Sequence, residues 1–383
     1  MESSGNLLIR NARLVTSTGV REGDLLVREG RVAAFGEVRD PGCVPELDAE
    51  ERYLAPGFLD LHVHGGAGAD FSAGDPDAAR AIAAFHAQHG TTGLLATIVP
   101  GPVERMRKAM TAVIGVPGIL GIHLEGPFLS PEKAGALDPQ WFLPPSRDAF
   151  RKLVAGFEGQ IKVVTFAPEL PGAVDLIGDI RAIGAMPAIG HTTATYEQAS
   201  AALGRGAFHV THLANAMSGL HHRGPGSVGA ALLSGASLEL ICDGIHVHPA
   251  FVRLAVESLR GRGELHRLCL VTDATAAAGL PDGCYRLGDR DIRLQRREVR
   301  LADGTLAGSA LTLDQALRNV VRFASLTLEE ALTLVTANPA PVLGREGELG
   351  ILAVGARADL VLLETDLTVW TTIRDSKIAF HRD

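Results

Sequence analysis

Over the first 50 residues, apolar and polar positions alternate with a period of two, which is typical of short antiparallel strands. The clearest of these segments are residues 7–10, 25–28 and 31–35, with a turn at Glu29-Gly30. A similar pattern returns in the last 35 residues, over 355–363 and 369–373. We therefore expect the two ends of the chain to build one small β-sandwich around a larger middle part.

The middle of the chain has a different pattern, in which apolar runs alternate with helical periodicity. The predicted buried strands are residues 58–64, 93–99, 118–125, 161–169, 187–192, 208–213, 238–243 and 268–273. Helical spacing of apolar residues predicts helices over 76–90, 146–159 and 249–261, and a capping box at Thr327 to Glu330 opens a late helix. Most of the strands are followed by such a helical pattern, which indicates a parallel sheet.

Eight strands in succession predict a closed (β/α)8 TIM-like barrel of the α/β class. The expected domains are 1–54 for the first part of the β-sandwich, 55–345 for the barrel and 346–383 for the second part of the sandwich. An open doubly wound sheet is the structural alternative. However, no Gly-x-Gly-x-x-Gly follows the first strand, which argues against a dinucleotide-binding site.

Composition restricts the partners and the compartment. The net charge of −8 argues against nucleic acid, and the densest basic cluster, residues 293–300, is predicted to be an exposed hairpin. The four cysteines lack Cys-x-x-Cys spacing, and Cys242 and Cys269 lie in apolar runs. No apolar stretch reaches the roughly 18 residues of a membrane span, and residues 1–5 carry no secretory pattern. We therefore expect a soluble cytoplasmic protein.

Ionisable side chains stand at the ends of the predicted strands. His62 and His64 share one face of the first strand, because side chains alternate along a strand. A lone His-x-His is common, but the other strand ends carry the same kind of residue: Glu125, His191, His212 and Asp273. Burying such groups is unfavourable unless they are paired or bound to a metal. Their nitrogen and oxygen atoms match the ligands of zinc or iron.

This set of residues suits hydrolysis of an amide or an ester. A bound zinc ion lowers the pKa of water to about 7, and Asp273, on the last strand, is placed to act as general base and later as proton donor. The backbone N–H groups of residues 215–217 are expected to face the barrel mouth. Arg223 lies in a Gly-Pro-Gly loop and is a candidate anion-binding residue. Taken alone, Arg223 and His246 are more often solvated loop residues.

Several longer motifs resemble those of the N-acetylglucosamine-6-phosphate deacetylases of the amidohydrolase superfamily. They are Pro-Gly-Phe-Leu-Asp-Leu-His-Val-His-Gly at 56–65, His-Leu-Glu-Gly-Pro-Phe at 123–128, Ala-Pro-Glu at 167–169, Gly-His-Thr at 190–192, Thr-His-Leu-Ala-Asn-Ala-Met at 211–217, Asp-Gly-Ile-His at 243–246, Val-Thr-Asp-Ala-Thr at 271–275 and Ala-Gly-Ser at 307–309. They follow the family's order over nearly the whole chain. The resemblance implies the barrel with its terminal sandwich, a divalent metal (zinc first), and deacetylation of a phosphorylated N-acetyl amino sugar.

The resemblance also implies a role for each site residue. The main metal would be held by Glu125, His191 and His212, and a second metal by His62 and His64, with Glu125 able to bridge. Asp273 would be the catalytic acid and base. The substrate would be bound by Ala136, Asn215, Ala216, Arg223 and Ala307, and by His246 reaching the phosphate held by the neighbouring subunit of a homodimer.

Two departures and three rival functions remain open at this point. Some family members replace the His-x-His pair and work with one metal, so His62 and His64 permit a second ion but do not require it, and one or two ions per chain are expected. Family members usually have a histidine where this chain has Leu137, which raises a question about the exact substrate. One rival is the same reaction on N-acetylgalactosamine 6-phosphate. A second is hydrolysis of a cyclic amide, whose enzymes commonly carry a lysine on strand four, where this chain has Ala167-Pro168-Glu169. A third is a non-catalytic scaffold, although such proteins usually lose metal ligands.

Overall fold

The computed structural model describes residues 5–16, 18–38 and 42–382. Residues 1–4, which belong to the segment without a secretory pattern, lie outside these ranges. The strands of the described ranges, in chain order, are β1 (Leu7–Thr16), β2 (Gly19–Arg28), β3 (Arg31–Gly36), β4 (Glu46–Asp48), β5 (Tyr53–Pro56), β6 (Phe58–Val63), β7 (Gly65–Gly66), β8 (Ala69–Asp70), β9 (Thr91–Ile98), β10 (Ile119–Glu125), β11 (Ile161–Phe166), β12 (Met186–Ile189), β13 (His209–Val210), β14 (Ser237–Ile241), β15 (Leu268–Val271), β16 (Gly283–Leu287), β17 (Arg290–Gln295), β18 (Glu298–Arg300), β19 (Leu360–Leu363), β20 (Val369–Arg374) and β21 (Lys377–His381).

Several α-helices begin at capping residues, including Asp75, Ser146 and Thr327. The α-helices are α1 (Pro76–Ala87), α2 (Val103–Val113), α3 (Arg147–Val154), α4 (Leu176–Ala182), α5 (Tyr196–Gly204), α6 (Gly226–Leu233), α7 (Pro249–Gly261), α8 (Leu313–Ala324) and α9 (Leu328–Thr333). The predicted capping box is present, with Thr327 and Glu330 each accepting a hydrogen bond from the other's backbone N–H. None of the helices in the described ranges is both long and apolar enough to cross a membrane.

The two ends of the chain meet in one eight-stranded sheet. Its order is β21-β20-β19-β5-β1-β2-β3, and β4 pairs with β1. The sheet folds over on itself, because the N–H of Val32 donates to Ala356 and the N–H of Ala358 donates to Gly30, both at 2.9 Å. Its inner faces enclose an apolar core to which both ends of the chain contribute aliphatic side chains: Ile9, Leu14, Leu25, Val27, Leu54, Leu360, Leu362 and Ile373.

A second eight-stranded sheet is fully parallel and forms the barrel. Its order is β15-β14-β13-β12-β11-β10-β9-β6. Near its carboxyl ends, Val63 pairs in parallel with Ala274, which joins the first strand to the last. Towards the other end, residues 334–335 fill the gap by accepting hydrogen bonds from the N–H groups of Leu59 and Leu270, at 2.8 and 2.9 Å. The predicted barrel with an additional β unit from both termini is therefore confirmed.

Several barrel strands end earlier than we predicted. β12 ends at Ile189, β13 at Val210 and β15 at Val271, two residues before His191, His212 and Asp273 respectively. These three residues have left-handed backbone conformations, with φ of 46°, 30° and 50°. A residue in that region turns the chain out of the ladder, so the side chains are presented by turns rather than by strands.

The basic segment 293–300 is a hairpin, as predicted. Strands β17 and β18 pair antiparallel and join β16 in a three-stranded sheet. One face of this sheet is apolar and packs on the loop that follows β10, through Leu287, Ile292 and Val299 against Ala136 and Leu137. The small sheet therefore covers one side of the barrel mouth.

Candidate metal centre and active site

Six ionisable side chains meet at the carboxyl end of the barrel. They are His62, His64, Glu125, His191, His212 and Asp273, and each is at most 7% exposed. His62 lies within β6, His64 directly follows it, and Glu125 is the last residue of β10. In a parallel barrel the carboxyl ends of all strands face the same mouth, so residues distant in sequence converge there.

Glu125 and two histidines form one half of the cluster. Glu125 Oε1 lies 3.0 Å from both His191 Nε2 and His212 Nε2, and the two ring nitrogens are 3.1 Å apart. His191 Nδ1 donates to the carbonyl of Lys133 at 2.7 Å. In the neutral ring, Nε2 therefore directs a lone pair at a carboxylate oxygen, which is repulsive unless a positive charge lies among these atoms. Two imidazole nitrogens and a carboxylate oxygen fit a divalent metal ion.

His62 and His64 form the other half. Their Nε2 atoms are 3.1 Å apart. His64 Nε2 lies 3.4 Å from Glu125 Oε2, and His62 Nε2 lies 3.5 Å from Glu125 Oε1. The three residues again fit a metal ion, and Glu125 contacts both halves of the cluster.

Asp273 lies beside the second half and is held firmly by its backbone. Its Oδ1 is 3.0 Å from His64 Nε2 and 3.5 Å from His62 Nε2. Its N–H donates to the carbonyl of His62 at 2.9 Å, and its carbonyl accepts from Ser309 at 2.7 Å. These bonds fix the left-handed turn that aims the carboxylate at the cluster.

The cluster concentrates negative charge in a dry environment. Burial alone would raise the pKa of Glu125, but the positive charge of His62 and the contact with the protonated ring of His191 hold that pKa well below its usual range. For His62, burial would lower the pKa, yet the charges of Glu239, Asp273 and Glu125 outweigh burial and raise the pKa to about 10. The site therefore favours positive charge, supplied by protons or by a metal ion.

Glu239 was not singled out from the sequence, although the structure places it directly behind the cluster. It is fully buried in the middle of β14 and accepts a hydrogen bond from His62 Nδ1 at 2.9 Å. The predicted metal ligands and Asp273 lie at or within two residues of the carboxyl ends of strands, whereas Glu239 lies among apolar residues inside a strand. A carboxylate within such an apolar run was the signal available in the sequence. His123, by contrast, is a satisfied core residue, bonded to the carbonyl of Leu61 and to Thr165 Oγ1.

Four of the predicted substrate residues lie around the cluster. A Cβ placed on Gly135 would be 3.5 Å from the ring of His191 and 3.8 Å from Ala216, so this loop and the turn after β13 adjoin the cluster. In that turn the Asn215 amide donates to the carbonyl of His212 at 3.3 Å. Ala136 and Ala307 belong to one buried apolar group, and Ser309, two residues after Ala307, donates its N–H to the carbonyl of Asp273.

Three other positions lie differently. Arg223 is exposed and its guanidinium contacts His222 at 2.9 Å. His246 is bonded through Nδ1 to Asp243 at 2.7 Å. Within the described residues, the polar partners of Arg223 and His246 are thus outside the cluster. Leu137, where we expected a histidine from the resemblance, is buried in the apolar group under the β16–β18 sheet.

Comparison with known proteins matches this geometry. The profile of the Amidohydrolase family matches residues 53–380. The chain belongs to the amidohydrolase family. Members of this family depend on metal ions, and the structure contains candidate groups of ligands for them.

Within the amidohydrolase family, the chain is similar to amino-sugar-phosphate deacetylases. N-acetylgalactosamine-6-phosphate deacetylase of Escherichia coli O157:H7 is 38% identical over 371 residues, which cover 94% of this chain and 96% of that protein. N-acetylglucosamine-6-phosphate deacetylase of Bacillus subtilis (strain 168) is 35% identical over 390 residues, covering 98% and 97%. The predicted resemblance is confirmed.

A solved structure agrees over the same extent. It is a mutant of N-acetyl-D-glucosamine-6-phosphate deacetylase from Mycobacterium smegmatis in complex with N-acetyl-D-glucosamine-6-phosphate. It superposes with a TM-score of 0.90 at 36% identity, covering 98% of this chain and 99% of that chain. Barrel and terminal sheet are therefore shared with an amidohydrolase of this type.

Proposed function

We propose that this amidohydrolase hydrolyses the acetamide of N-acetylglucosamine 6-phosphate to glucosamine 6-phosphate and acetate. The observation that carries the proposal is the position of Asp273, whose carboxylate lies 3.0 Å from His64 Nε2 at the edge of the four-histidine cluster around Glu125. This arrangement puts a proton acceptor beside a site for a Lewis acid, as amide hydrolysis requires. Relatives named for this reaction, such as the Bacillus subtilis enzyme, match over nearly the whole chain.

The metal ligands in this proposal are Glu125, His191 and His212 for one ion, and His62, His64 and the same Glu125 for a second. We propose zinc, because imidazole nitrogen and carboxylate oxygen are its common ligands in catalytic sites. When bound, such an ion polarises the substrate carbonyl and lowers the pKa of water at the site.

Asp273 carries the proton in the proposed reaction. Its carboxylate accepts a proton from the attacking water as the new C–O bond forms at the acetamide carbon. The protonated Asp273 then donates to the nitrogen as the C–N bond breaks, so glucosamine 6-phosphate leaves with its amine and acetate remains. The turn at Asp273 keeps the carboxylate at the cluster throughout, because Ser309 and His62 hold its backbone.

Substrate recognition is assigned to the residues around the cluster. Ala136 and Ala307 form an apolar wall, and Asn215 and Ala216 present backbone groups to the sugar. We propose that Arg223 binds the phosphate, since a guanidinium suits phosphate oxygens. Arg223 is exposed in the single chain, and a homodimer in which the partner subunit supplies a histidine, the counterpart of His246, would complete this end of the site.

The compartment and the domain limits are part of the same proposal. Cys242 and Cys269 are buried free thiols, which suits the reducing cytoplasm. The proposed domains are a barrel over 55–345 and a β-sandwich from 1–54 and 346–383.

The test is acetate release by the purified protein on four compounds: N-acetylglucosamine and N-acetylgalactosamine, each with and without the 6-phosphate. We expect the highest kcat/KM on N-acetylglucosamine 6-phosphate and a large loss without phosphate. No acetate release from any of the four, in protein that contains metal, would refute the proposal.

The second candidate is the same reaction on N-acetylgalactosamine 6-phosphate. It is favoured by the 38% identity to the Escherichia coli O157:H7 enzyme named for that substrate. The two substrates differ only in the configuration at one hydroxyl, so the ratio of their kcat/KM values decides between them.

A further inference from the structure

Glu239 makes three contacts that link the two halves of the cluster. Its Oε2 accepts from His62 Nδ1 at 2.9 Å and from the backbone N–H of His212 at 3.1 Å. Its Oε1 accepts from His209 Nε2 at 2.9 Å. Glu239 is fully buried. Its negative charge is therefore stabilised by these three hydrogen-bond donors and by the positive charge in the cluster, and not by water.

The contact to His62 determines which ring nitrogen carries the proton. A carboxylate can only accept, so His62 Nδ1 holds a hydrogen, and in the neutral ring that a metal ligand must have, Nε2 presents its lone pair. That lone pair points to the cluster, where His64 Nε2 lies 3.1 Å away. Without an acceptor behind the ring, the proton could move to Nε2 and block it as a ligand.

The contact to His212 acts on the other half through the backbone. His212 has a φ of 30°, outside the conformations that a histidine adopts without support. The same residue, Glu239, accepts the N–H of His212 with its side chain and the N–H of Leu213 with its carbonyl, at 3.1 and 2.8 Å. The turn that presents His212 to Glu125 is therefore fastened to β14.

His209 holds the Glu239 carboxylate in position. Its ring lies between Glu239 Oε1 and Ser237 Oγ, at 2.9 and 2.6 Å. Both rings that contact Glu239 are fully buried. Glu239 thus has no room to rotate away from His62 and His212.

We propose that Glu239 is a positioning residue that sets both the tautomer of His62 and the turn of His212, and thereby raises the metal affinity of both positions. The proposal rests on the metal centre of the proposed function. Partners of this kind behind metal ligands typically change metal affinity by about 10–100-fold when removed.

The test compares three variants with the wild-type chain. Glu239→Leu removes every acceptor of the carboxylate. Glu239→Gln keeps one acceptor oxygen and removes the charge. Asp314→Asn is the matched control, because Asp314 is also a buried carboxylate bonded to a histidine, His89, but outside the cluster.

The first readout is the number of zinc ions per chain and their affinities, measured after equilibration with a competing chelator. We expect affinity to fall at least tenfold in Glu239→Gln, further in Glu239→Leu, and to stay at the wild-type value in Asp314→Asn. The second readout is the visible spectrum of the cobalt-substituted protein, which reports the ligand field. It should change in the two Glu239 variants and stay the same in Asp314→Asn.

The outcomes separate this inference from the metal centre itself. Wild-type protein that binds no zinc overturns the metal centre and the role of Glu239 with it. Wild-type protein that binds zinc, with Glu239→Gln showing the same affinity and the same cobalt spectrum, overturns only the role of Glu239. If Glu239→Leu does not fold, Glu239→Gln decides the question, because glutamine occupies the same space.

Discussion

Replacing Asp273 by asparagine tests the proton-transfer role most directly. Asparagine has nearly the same shape and tolerates the left-handed φ of 50° found at this position. The backbone bonds to His62 and Ser309 do not involve the side chain and remain. The substitution therefore removes the proton acceptor while leaving the turn in place.

The expected loss of kcat in Asp273→Asn follows from the role of Asp273 in proton transfer. General acid–base catalysis contributes about 10²–10⁴-fold in rate, which corresponds to roughly 3–5 kcal/mol of transition-state stabilisation. We expect kcat to fall by that factor in Asp273→Asn, with zinc content close to the wild-type value because Glu125, His191 and His212 are unchanged.

The assay is acetate release on N-acetylglucosamine 6-phosphate, with zinc content and thermal unfolding measured on the same samples. Asp366→Asn is the control, since Asp366 is an exposed loop carboxylate that caps Thr368. A kcat within about threefold of wild type in metal-loaded Asp273→Asn would refute the role of Asp273, because a 10²-fold loss is the least that proton transfer predicts.

Three further predictions use other parts of the structure. Replacing His62 by Gln and His64 by Asn together should remove the second zinc ion and abolish turnover; full turnover with one ion per chain would show that the second position is dispensable. Gly308→Ala should reduce kcat, because its Cβ would lie 2.9 Å from the carbonyl of Asp273 at a φ of 56°, whereas Gly178→Ala, with no atom within 4 Å, should leave kcat unchanged; equal activities would contradict the packing. Burial alone would raise the pKa of Asp314, but the hydrogen bond and charge of His89 and the charge of Arg318 lower it to about 2. This folded-state pKa lies below the ordinary 3.8, so the ionised Asp314 carboxylate stabilises the fold. Its contribution to the free energy of unfolding is complete above about pH 4 and is lost as pH falls towards 2. In urea titrations, Asp314→Asn should therefore lower the free energy of unfolding by roughly 2 kcal/mol at pH 7 and by less at pH 3. The same deficit at both pH values would contradict this assignment.

The sequence pattern was sufficient for the barrel because its strands are continuous apolar runs, which hydrophobic periodicity detects. The limits of the strands were less accurate at His191, His212 and Asp273. A left-handed residue has no signature in the apolar pattern unless it is glycine, so the runs were extended through the turns.

The ligand set could be predicted because each member lies at or within two residues of the carboxyl end of an apolar run, where a polar residue is conspicuous. Glu239 was missed because it lies inside a strand, and its importance depends on contacts with His62 and His209, which come from other strands. The pairing of residues 355–358 with β3 is likewise a tertiary contact that neither segment shows by itself.

The position of β5 in the terminal sheet has a consequence for synthesis on the ribosome. β5 pairs with β1 on one side and with β19 on the other. Its second partner emerges about 300 residues later, roughly 15–60 seconds at ordinary elongation rates. During that interval the nascent amino-terminal strands present an open hydrogen-bonding edge, which is a point where a chaperone could bind or where two nascent chains could pair wrongly.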